Sequence, residues 1–178
     1  QFLLESLVDL DKNLRELGSG LLVLKGKSEL EIPKIVQQFK ATKVFAKREV
    51  SYEEKQTKAL VQNALFKLKC ELLTFSTSTL YHAEDLPFSI KDIPDVFTNF
   101  RKKTEKDAII REAFDAPTEI RSPEIPLLFL PSLEELNLTF TPIDSRAVLP
   151  FKGGETEAIA RLNHYFFETN CISEYKET

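Results

Sequence analysis

Apolar positions recur at three- and four-residue steps near the start of the chain, which is the period of one helix face. Residues 2–17 show this pattern and are followed by Gly18, a residue suited to ending a helix. Ser28 and Glu31 have the spacing of a capping box and therefore predict a second helix near residues 30–40.

Short apolar runs lie between these helices. Leu21–Leu24 is bounded by glycines and apolar throughout, so we predict a strand buried on both faces, as parallel sheets require. Val44–Ala46 predicts a second buried strand and Glu71–Phe75 a third, with a helix from a capping box at Ser51 to about Leu68 between them. The alternation predicts an α/β fold: a parallel, Rossmann-like sheet flanked by helices.

The character of the chain changes after Ser76. Seven of the 9 prolines fall within residues 80–145, and one short helix is predicted there, near 94–106. A structureless stretch of this length is unusual inside a compact domain, so we expect it to wrap over other parts of the protein. We therefore divide this part of the chain into a partial α/β domain, residues 1–79, and a Pro-rich inter-domain connector, residues 80–150.

Residues 151–178 close the chain with a predicted hinge helix. Gly153 and Gly154 allow a sharp entry turn, and Glu155 and Glu157 suit the positive end of a helix. An apolar stripe at helical spacing follows and consists of Ile159, Leu162, Tyr165 and Phe166. We expect this helix to introduce a further part of the protein that this chain does not contain.

Composition narrows the function classes. The net charge of −4 gives the chain no overall attraction to nucleic acid or anionic membranes. No apolar run approaches the roughly 18 residues of a membrane span, and no glycine-rich phosphate loop is present. The 2 cysteines, Cys70 and Cys171, fit no metal-ligand spacing and are interpreted as free thiols. We expect a cytoplasmic or organellar protein that is not secreted.

Two polar stretches are candidate sites. Arg48–Glu54 follows a predicted strand and opens a helix, a position where open α/β sheets bind ligands, although its carboxylates also suit a plain helix start. The basic cluster at Arg101 and Lys102 lies beside two phenylalanines, which suits single-stranded nucleic acid, although a solvated helix face has the same composition. His82 and His164 are expected to have structural or surface roles.

Several phrases resemble the photolyase/cryptochrome family, in its DASH branch. They occur in the order of that branch and extend over nearly the whole chain, with the Gly-Gly-Glu-Thr stretch as the most specific of them. The phrases are Phe2-Leu-Leu-Glu-Ser-Leu7, Arg48-Glu-Val50, Leu80-Tyr-His-Ala-Glu-Asp-Leu-Pro-Phe88, Pro94-Asp-Val-Phe-Thr-Asn-Phe-Arg101, Phe151-Lys-Gly-Gly-Glu-Thr-Glu-Ala158, Arg161-Leu-Asn-His-Tyr-Phe166 and Tyr175-Lys-Glu-Thr178.

The resemblance implies that residues 1–79 are part of an N-terminal antenna domain and that residues 151–178 are the truncated start of a C-terminal helical domain that holds FAD. In the family, blue light excites the flavin, which donates an electron to a cyclobutane pyrimidine dimer; the DASH branch prefers single-stranded DNA. The antenna folate, 5,10-methenyltetrahydrofolate, would rest on a carboxylate for which Glu49 and Glu53 are the candidates. Arg101 and Lys102 would supply at most a supporting phosphate contact, and no catalytic or metal-binding residue is expected.

The resemblance also implies missing parts. The family sheet has the order 3-2-1-4-5, and the three predicted strands match 3, 4 and 5. We therefore expect that another chain or segment supplies the missing strands or that the sheet repacks, with an FAD-binding domain or another chain that completes the sheet as the partner. The flavin-domain motifs and the tryptophan relay are absent, with 0 Trp in the chain. We therefore expect the chain to be inactive alone. The alternative is a non-catalytic, truncated photolyase-like module that binds a protein partner.

Overall fold

The computed structural model describes residues 1–140, 142, 144, 146, 151–169 and 171–174. The described residues form two compact units: Gln1–Leu24 with the part from Pro117 onward, and Lys25–Ala116. The helices and strands are α1 (Phe2–Glu16), α2 (Ser28–Phe39), β1 (Lys43–Lys47), α3 (Tyr52–Lys67), β2 (Glu71–Phe75), α4 (Phe97–Asp107) and α5 (Glu155–Asn163). Shorter turns are the 3₁₀ segments Ala83–Asp85, Ile90–Asp92 and Cys171–Glu174 and the π-helical turn His164–Glu168.

The unit Lys25–Ala116 is built on a parallel pair of strands. β1 and β2 pair in register from Lys43 opposite Glu71 to Lys47 opposite Phe75. Helices α2 and α3 pack together on one face, around a core that includes the fully buried Leu65. The α/β prediction is confirmed, because two of its three strands pair in parallel with a helix between them, the arrangement of a β-α-β crossover unit.

The second face of this sheet is more open than the sequence predicts. Phe45 and Phe75 are 63% and 53% exposed, with their rings stacked at a centroid distance of 6.1 Å. The prediction that Val44–Ala46 forms a strand is confirmed, but the prediction that both of its faces are buried is wrong. The physical reason is the pleat: Val44 and Leu72 point towards the α2–α3 core, so the intervening side chains point to the opposite, uncovered face.

The predicted strand at Leu21–Leu24 is not formed. This segment belongs to no sheet ladder among the described residues, and Leu24 is 47% exposed. Instead, the Leu21 amide donates a 2.8 Å hydrogen bond to Asp11 Oδ1 on α1, and Arg15 Nε donates to Asp11 Oδ2, also at 2.8 Å. The buried Asp11 carboxylate thus accepts the hydrogen bond from the Leu21 amide that a neighbouring strand would accept in a sheet.

The helix boundaries follow the predicted pattern closely, but the predicted capping boxes are wrong. Gly18 follows α1 with φ of 88°, the left-handed conformation expected of a glycine at that position. Ser28 lies inside α2, whose N-cap is Lys27, and Ser51 occupies the N-cap of α3 without a side-chain capping hydrogen bond. The helix predicted near 94–106 is α4.

The predicted hinge helix is α5, and carboxylates of α1 cap it from outside. Gly154 precedes the helix with φ of 113° and offers no capping side chain. Glu5 Oε2 accepts a 2.8 Å hydrogen bond from the Gly153 amide. Asp9 Oδ2 accepts from the Thr156 amide at 3.1 Å, and Asp9 Oδ1 accepts from the Thr156 hydroxyl at 2.7 Å. Within their unit, α1 and α5 are therefore joined at the positive end of the α5 dipole.

Part of the predicted organisation lies outside the described residues. This applies to the phrase Tyr175–Thr178 and, within the predicted connector, to residues 141, 143, 145 and 147–150. The boundaries predicted at residues 79/80 and 150/151 remain a prediction.

Candidate functional site

A cavity of about 270 Å³ opens at the carboxyl ends of β1 and β2, within the unit Lys25–Ala116. We call it the strand-end pocket. Its apolar lining comes from both strands and from the facing sides of α2 and α3, with Ile32, Val44, Leu72 and Val61 as the main contributors. Such an apolar floor suits a flat ring system, and a strand end is where α/β sheets place their ligands.

Charged side chains lie at the mouth of the strand-end pocket. Glu49 follows β1 and lines the pocket with its side chain 45% exposed, 3.2 Å from the ammonium of Lys47. Arg48 fixes this turn to the neighbouring strand, because its amide donates to the Phe75 carbonyl at 2.7 Å and its guanidinium donates to the Thr74 carbonyl at 3.2 Å. The carboxylate of Glu49 is thus held at the rim.

Helix α3 contributes further rim residues that the sequence interpretation missed. Glu54, Thr57 and Lys58 line the strand-end pocket, above the buried Val61. The signal was present in the sequence: these positions continue the inward-facing stripe of α3 by steps of three and four residues towards its N-terminus. Attention to apolar residues alone leaves this polar continuation unnoticed.

The structure separates the two predicted folate ligands. Glu49 lines the strand-end pocket, whereas Glu53 is an exposed residue in the first turn of α3 and is not among the lining residues. Consecutive helix positions are rotated by about 100°, so Glu53 and Glu54 cannot share one face. The assignment of Glu53 remains a prediction.

The predicted basic cluster lies elsewhere in the same unit. Arg101 and Lys102 are exposed on α4, and neither lines the strand-end pocket. Arg101 Nε is 3.8 Å from the Glu105 carboxylate, an ion pair within the helix. Phe97 and Phe100 lie nearby with ring centroids 6.3 Å apart. The arrangement provides two cations beside aromatic rings, and the charge of Arg101 is partly neutralised by Glu105.

An ion pair organises the region of the Leu80–Phe88 phrase. The Arg111 guanidinium donates to both carboxylate oxygens of Asp85, with the bond to Oδ1 at 2.9 Å. These hydrogen bonds hold the pKa of Asp85 below its usual value. His82 Nδ1 accepts from the Glu84 amide at 3.3 Å and caps the same 3₁₀ turn. This contact is consistent with the structural role predicted for His82.

The remaining candidates show no catalytic arrangement. His164 Nδ1 lies 3.3 Å from Glu168 Oε2, one turn away on the π-helical segment. Cys70 and Cys171 are both free thiols, the first of them buried. Within the part of the chain that the structure describes, no group of His, Cys, Asp and Glu could hold a metal ion.

Comparison with known proteins shows which family the chain resembles. The DNA photolyase family matches residues 1–121. A Cryptochrome DASH of Gloeobacter violaceus is 41% identical over 100% of this chain, and one of Danio rerio is 40% identical, also over 100%. The crystal structure of a Synechocystis cryptochrome superposes with a TM-score of 0.89, 42% identity and 99% coverage of this chain.

The chain therefore belongs to the DNA photolyase family, and its similarity lies with the DASH cryptochromes. It spans 36% and 35% of the length of the two relatives and 37% of the Synechocystis chain, about a third in each case. None of the helices in the described residues is long and apolar enough to cross a membrane.

Proposed function

We propose that this chain is the antenna-chromophore part of a DASH-type cryptochrome or DNA photolyase. The complete protein would be a blue-light flavoprotein that acts on cyclobutane pyrimidine dimers in single-stranded DNA. In this proposal the chain holds 5,10-methenyltetrahydrofolate, which supplies light absorption when bound. FAD and the repair chemistry belong to a partner domain, or to another chain that also completes the sheet, so the chain is inactive alone.

The observation that carries the proposal is the position of Glu49. Its carboxylate stands at the rim of an apolar cavity at the carboxyl end of β1. A carboxylate at such a place accepts hydrogen bonds from the amidine edge of a pteridine, while the apolar floor contacts the ring faces. The carboxylate acceptor and the apolar lining fit a folate ring in chemical type. We assign no residue of this chain to FAD.

The DNA contact is the more peripheral part of the proposal. Arg101 and Lys102 carry positive charge on the exposed side of α4, beside the Phe97 and Phe100 rings. A phosphate of a single strand would suit this surface, with salt-dependent binding as the expected signature. The net charge of −4 keeps such a contact local and supportive rather than dominant.

The first experiment is spectroscopic. The natively purified protein is scanned for the absorption bands of reduced folate and oxidised flavin, and the bare protein is then titrated with 5,10-methenyltetrahydrofolate. We expect a saturable spectral shift. We expect the Glu49→Gln variant to bind the folate with about tenfold lower affinity, because a charge-assisted hydrogen bond is lost. Glu112→Gln, an exposed carboxylate outside the pocket, is the matched control. Wild-type protein that shows no shift would overturn the proposal.

A second candidate function is a non-catalytic module that binds a protein partner. The favouring observation is the exposed aromatic pair Phe45 and Phe75 on the open face of the sheet. A stable stoichiometric complex with an unrelated protein, free of folate and flavin absorbance, would favour this alternative over the antenna role.

A further inference from the structure

A cleft of about 520 Å³ lies along α5, and its lining residues all belong to the unit that contains α1 and α5. We call it the α5 cleft. One helix face contributes to it, because Ala158 and Arg161 follow Gly154 at steps of four and three residues. Further lining comes from Phe2, the first residue of α1, and from Phe151. The volume lies within the range of about 300–1,000 Å³ that is usual for small-molecule sites.

The α5 cleft carries an excess of positive charge, although the chain as a whole has a net charge of −4. Lys152 and Arg161 line it as two cations, against the single carboxylate of Glu157. His164 also lines the cleft, but its Nδ1 lies 3.3 Å from Glu168 Oε2. Lys152 and Arg161 are therefore the groups left to bind a ligand, and a concave site with such an excess of cations favours an anion.

The guanidinium of Arg161 is oriented by an aromatic ring. Its Cζ lies 5.9 Å from the centroid of the Phe151 ring, which is a cation–π contact. Within the part of the chain that the structure describes, Arg161 forms no ion pair and no side-chain hydrogen bond, so its N–H donors meet no acceptor there. A cation in the last turn also suits the negative end of the α5 dipole. A planar guanidinium held on a ring can, in addition, donate two parallel hydrogen bonds to a phosphate.

The other groups of the α5 cleft suit a flat ring and a sugar. The side chains of Phe2 and Phe151 are 58% and 67% exposed, so their rings offer uncovered surface on which a heterocyclic base can stack. The Glu157 carboxylate is an acceptor for O–H or N–H groups, which a ribose and a base both supply. The lining thus combines donors for an anion, rings for a base and an acceptor for hydroxyl groups.

From this combination we infer that the α5 cleft binds a nucleoside monophosphate. The phosphate lies on Lys152 and Arg161, and the base lies against the rings of Phe2 and Phe151. The inference goes beyond the proposed function and is independent of it, because the strand-end pocket belongs to the other compact unit.

The test uses the whole chain and three probes: AMP, adenosine, which lacks the phosphate, and inorganic phosphate, which lacks the base. Binding is measured by isothermal titration calorimetry. We expect wild type to bind AMP more tightly than either fragment, because AMP engages the rings and the cations together. We expect Arg161→Gln and Lys152→Gln each to lower the affinity for AMP about tenfold and to leave adenosine unchanged. Phe151→Leu should weaken the binding of both AMP and adenosine, because both use the ring.

The matched control is Arg121→Gln, which removes an exposed arginine of the same unit outside the cleft and should bind AMP as wild type does. Wild-type protein that binds AMP no more tightly than adenosine overturns the inference. It is also overturned if Arg161→Gln lowers the melting temperature but leaves the affinity for AMP unchanged, because Arg161 then serves the helix alone. Lys152 precedes α5, so Lys152→Gln tests the phosphate contact without a change inside the helix.

A single-stranded thymidine octanucleotide is titrated in parallel. Tighter binding of this strand than of AMP, weakened by Arg161→Gln, would identify a nucleic-acid surface and overturn the inference. The folate titration of the strand-end pocket is a separate measurement, so failure of one leaves the result of the other standing. Far-ultraviolet circular dichroism establishes that each variant keeps the wild-type fold.

Discussion

Replacing Gly153 by alanine is expected to destabilise the unit that contains α1 and α5. A Cβ atom at this position would lie 2.0 Å from the Phe2 carbonyl oxygen and 2.7 Å from Ser6 Oγ. Real Cβ contacts stay beyond 3.0 Å, so the backbone would have to move by about 1 Å. The φ of Gly153 is not in the left-handed region, so the effect is one of space rather than of backbone conformation.

The expected magnitude follows from this clash. Overpacking against rigid groups typically costs about 1–3 kcal/mol, and here the obstacle is backbone, which places the cost at the upper end. For a chain of this size a loss of about 3 kcal/mol lowers the Tm by roughly 6–12 °C. The displacement also stretches the 2.8 Å hydrogen bond between the Gly153 amide and Glu5, which removes one of the contacts that cap α5.

The assay is thermal unfolding followed by far-ultraviolet circular dichroism, since the chain contains 0 Trp for fluorescence. Gly20→Ala is the matched control, because its Cβ would meet the Ile125 side chain at 3.0 Å, and a side chain can shift where a carbonyl cannot. We expect the control to lose less than half as much stability. A Gly153→Ala variant that melts within about 2 °C of wild type would refute the reasoning.

Two further predictions concern other polar groups. Hydrogen bonds from the Thr156 hydroxyl and amide hold the pKa of Asp9 below its usual value in the folded protein. The ionised Asp9 therefore stabilises the folded protein fully at a pH above its pKa in the unfolded chain. This stabilisation is lost as the pH falls through the pKa of Asp9 in the folded protein. Urea denaturation should therefore show the advantage of wild type over Asp9→Asn shrinking below about pH 4, and a constant difference would contradict this. Thr104 is 2% exposed and its hydroxyl has no hydrogen-bond partner among the described residues, so Thr104→Val should stabilise by about 1 kcal/mol, and a lowered urea midpoint would contradict this.

The sequence predicts the helices well because a helix face depends on periodicity, and it predicts two of the strands from their short apolar runs. The stripe that ends in Val61 and Leu65 fixes which side of α3 is buried, and the apolar run at Glu71–Phe75 finds its partner at Lys43–Lys47. Leu21–Leu24 has an equally apolar run and forms no ladder. A strand is a pairwise structure, so composition alone cannot tell whether a neighbour is present.

For the candidate site, too, some residues could be predicted from the sequence and others could not. Glu49 could be predicted because it directly follows a strand, a place where α/β sheets bind ligands. Glu54 and Lys58 lie on the stripe that continues to Val61 and Leu65, whereas Glu53 and Lys55 do not, but a search for apolar residues alone passes over these polar positions. The capping of α5 by Asp9 was also beyond sequence reasoning, since donor and acceptor are 147 residues apart.

The most direct test of the account is a crystal structure of the chain grown with 5,10-methenyltetrahydrofolate. We predict density for the pteridine ring inside the strand-end pocket, with a ring nitrogen within about 3 Å of the Glu49 carboxylate. A pteridine bound at another surface, or one in the pocket whose nitrogens make no contact with Glu49, would contradict the account.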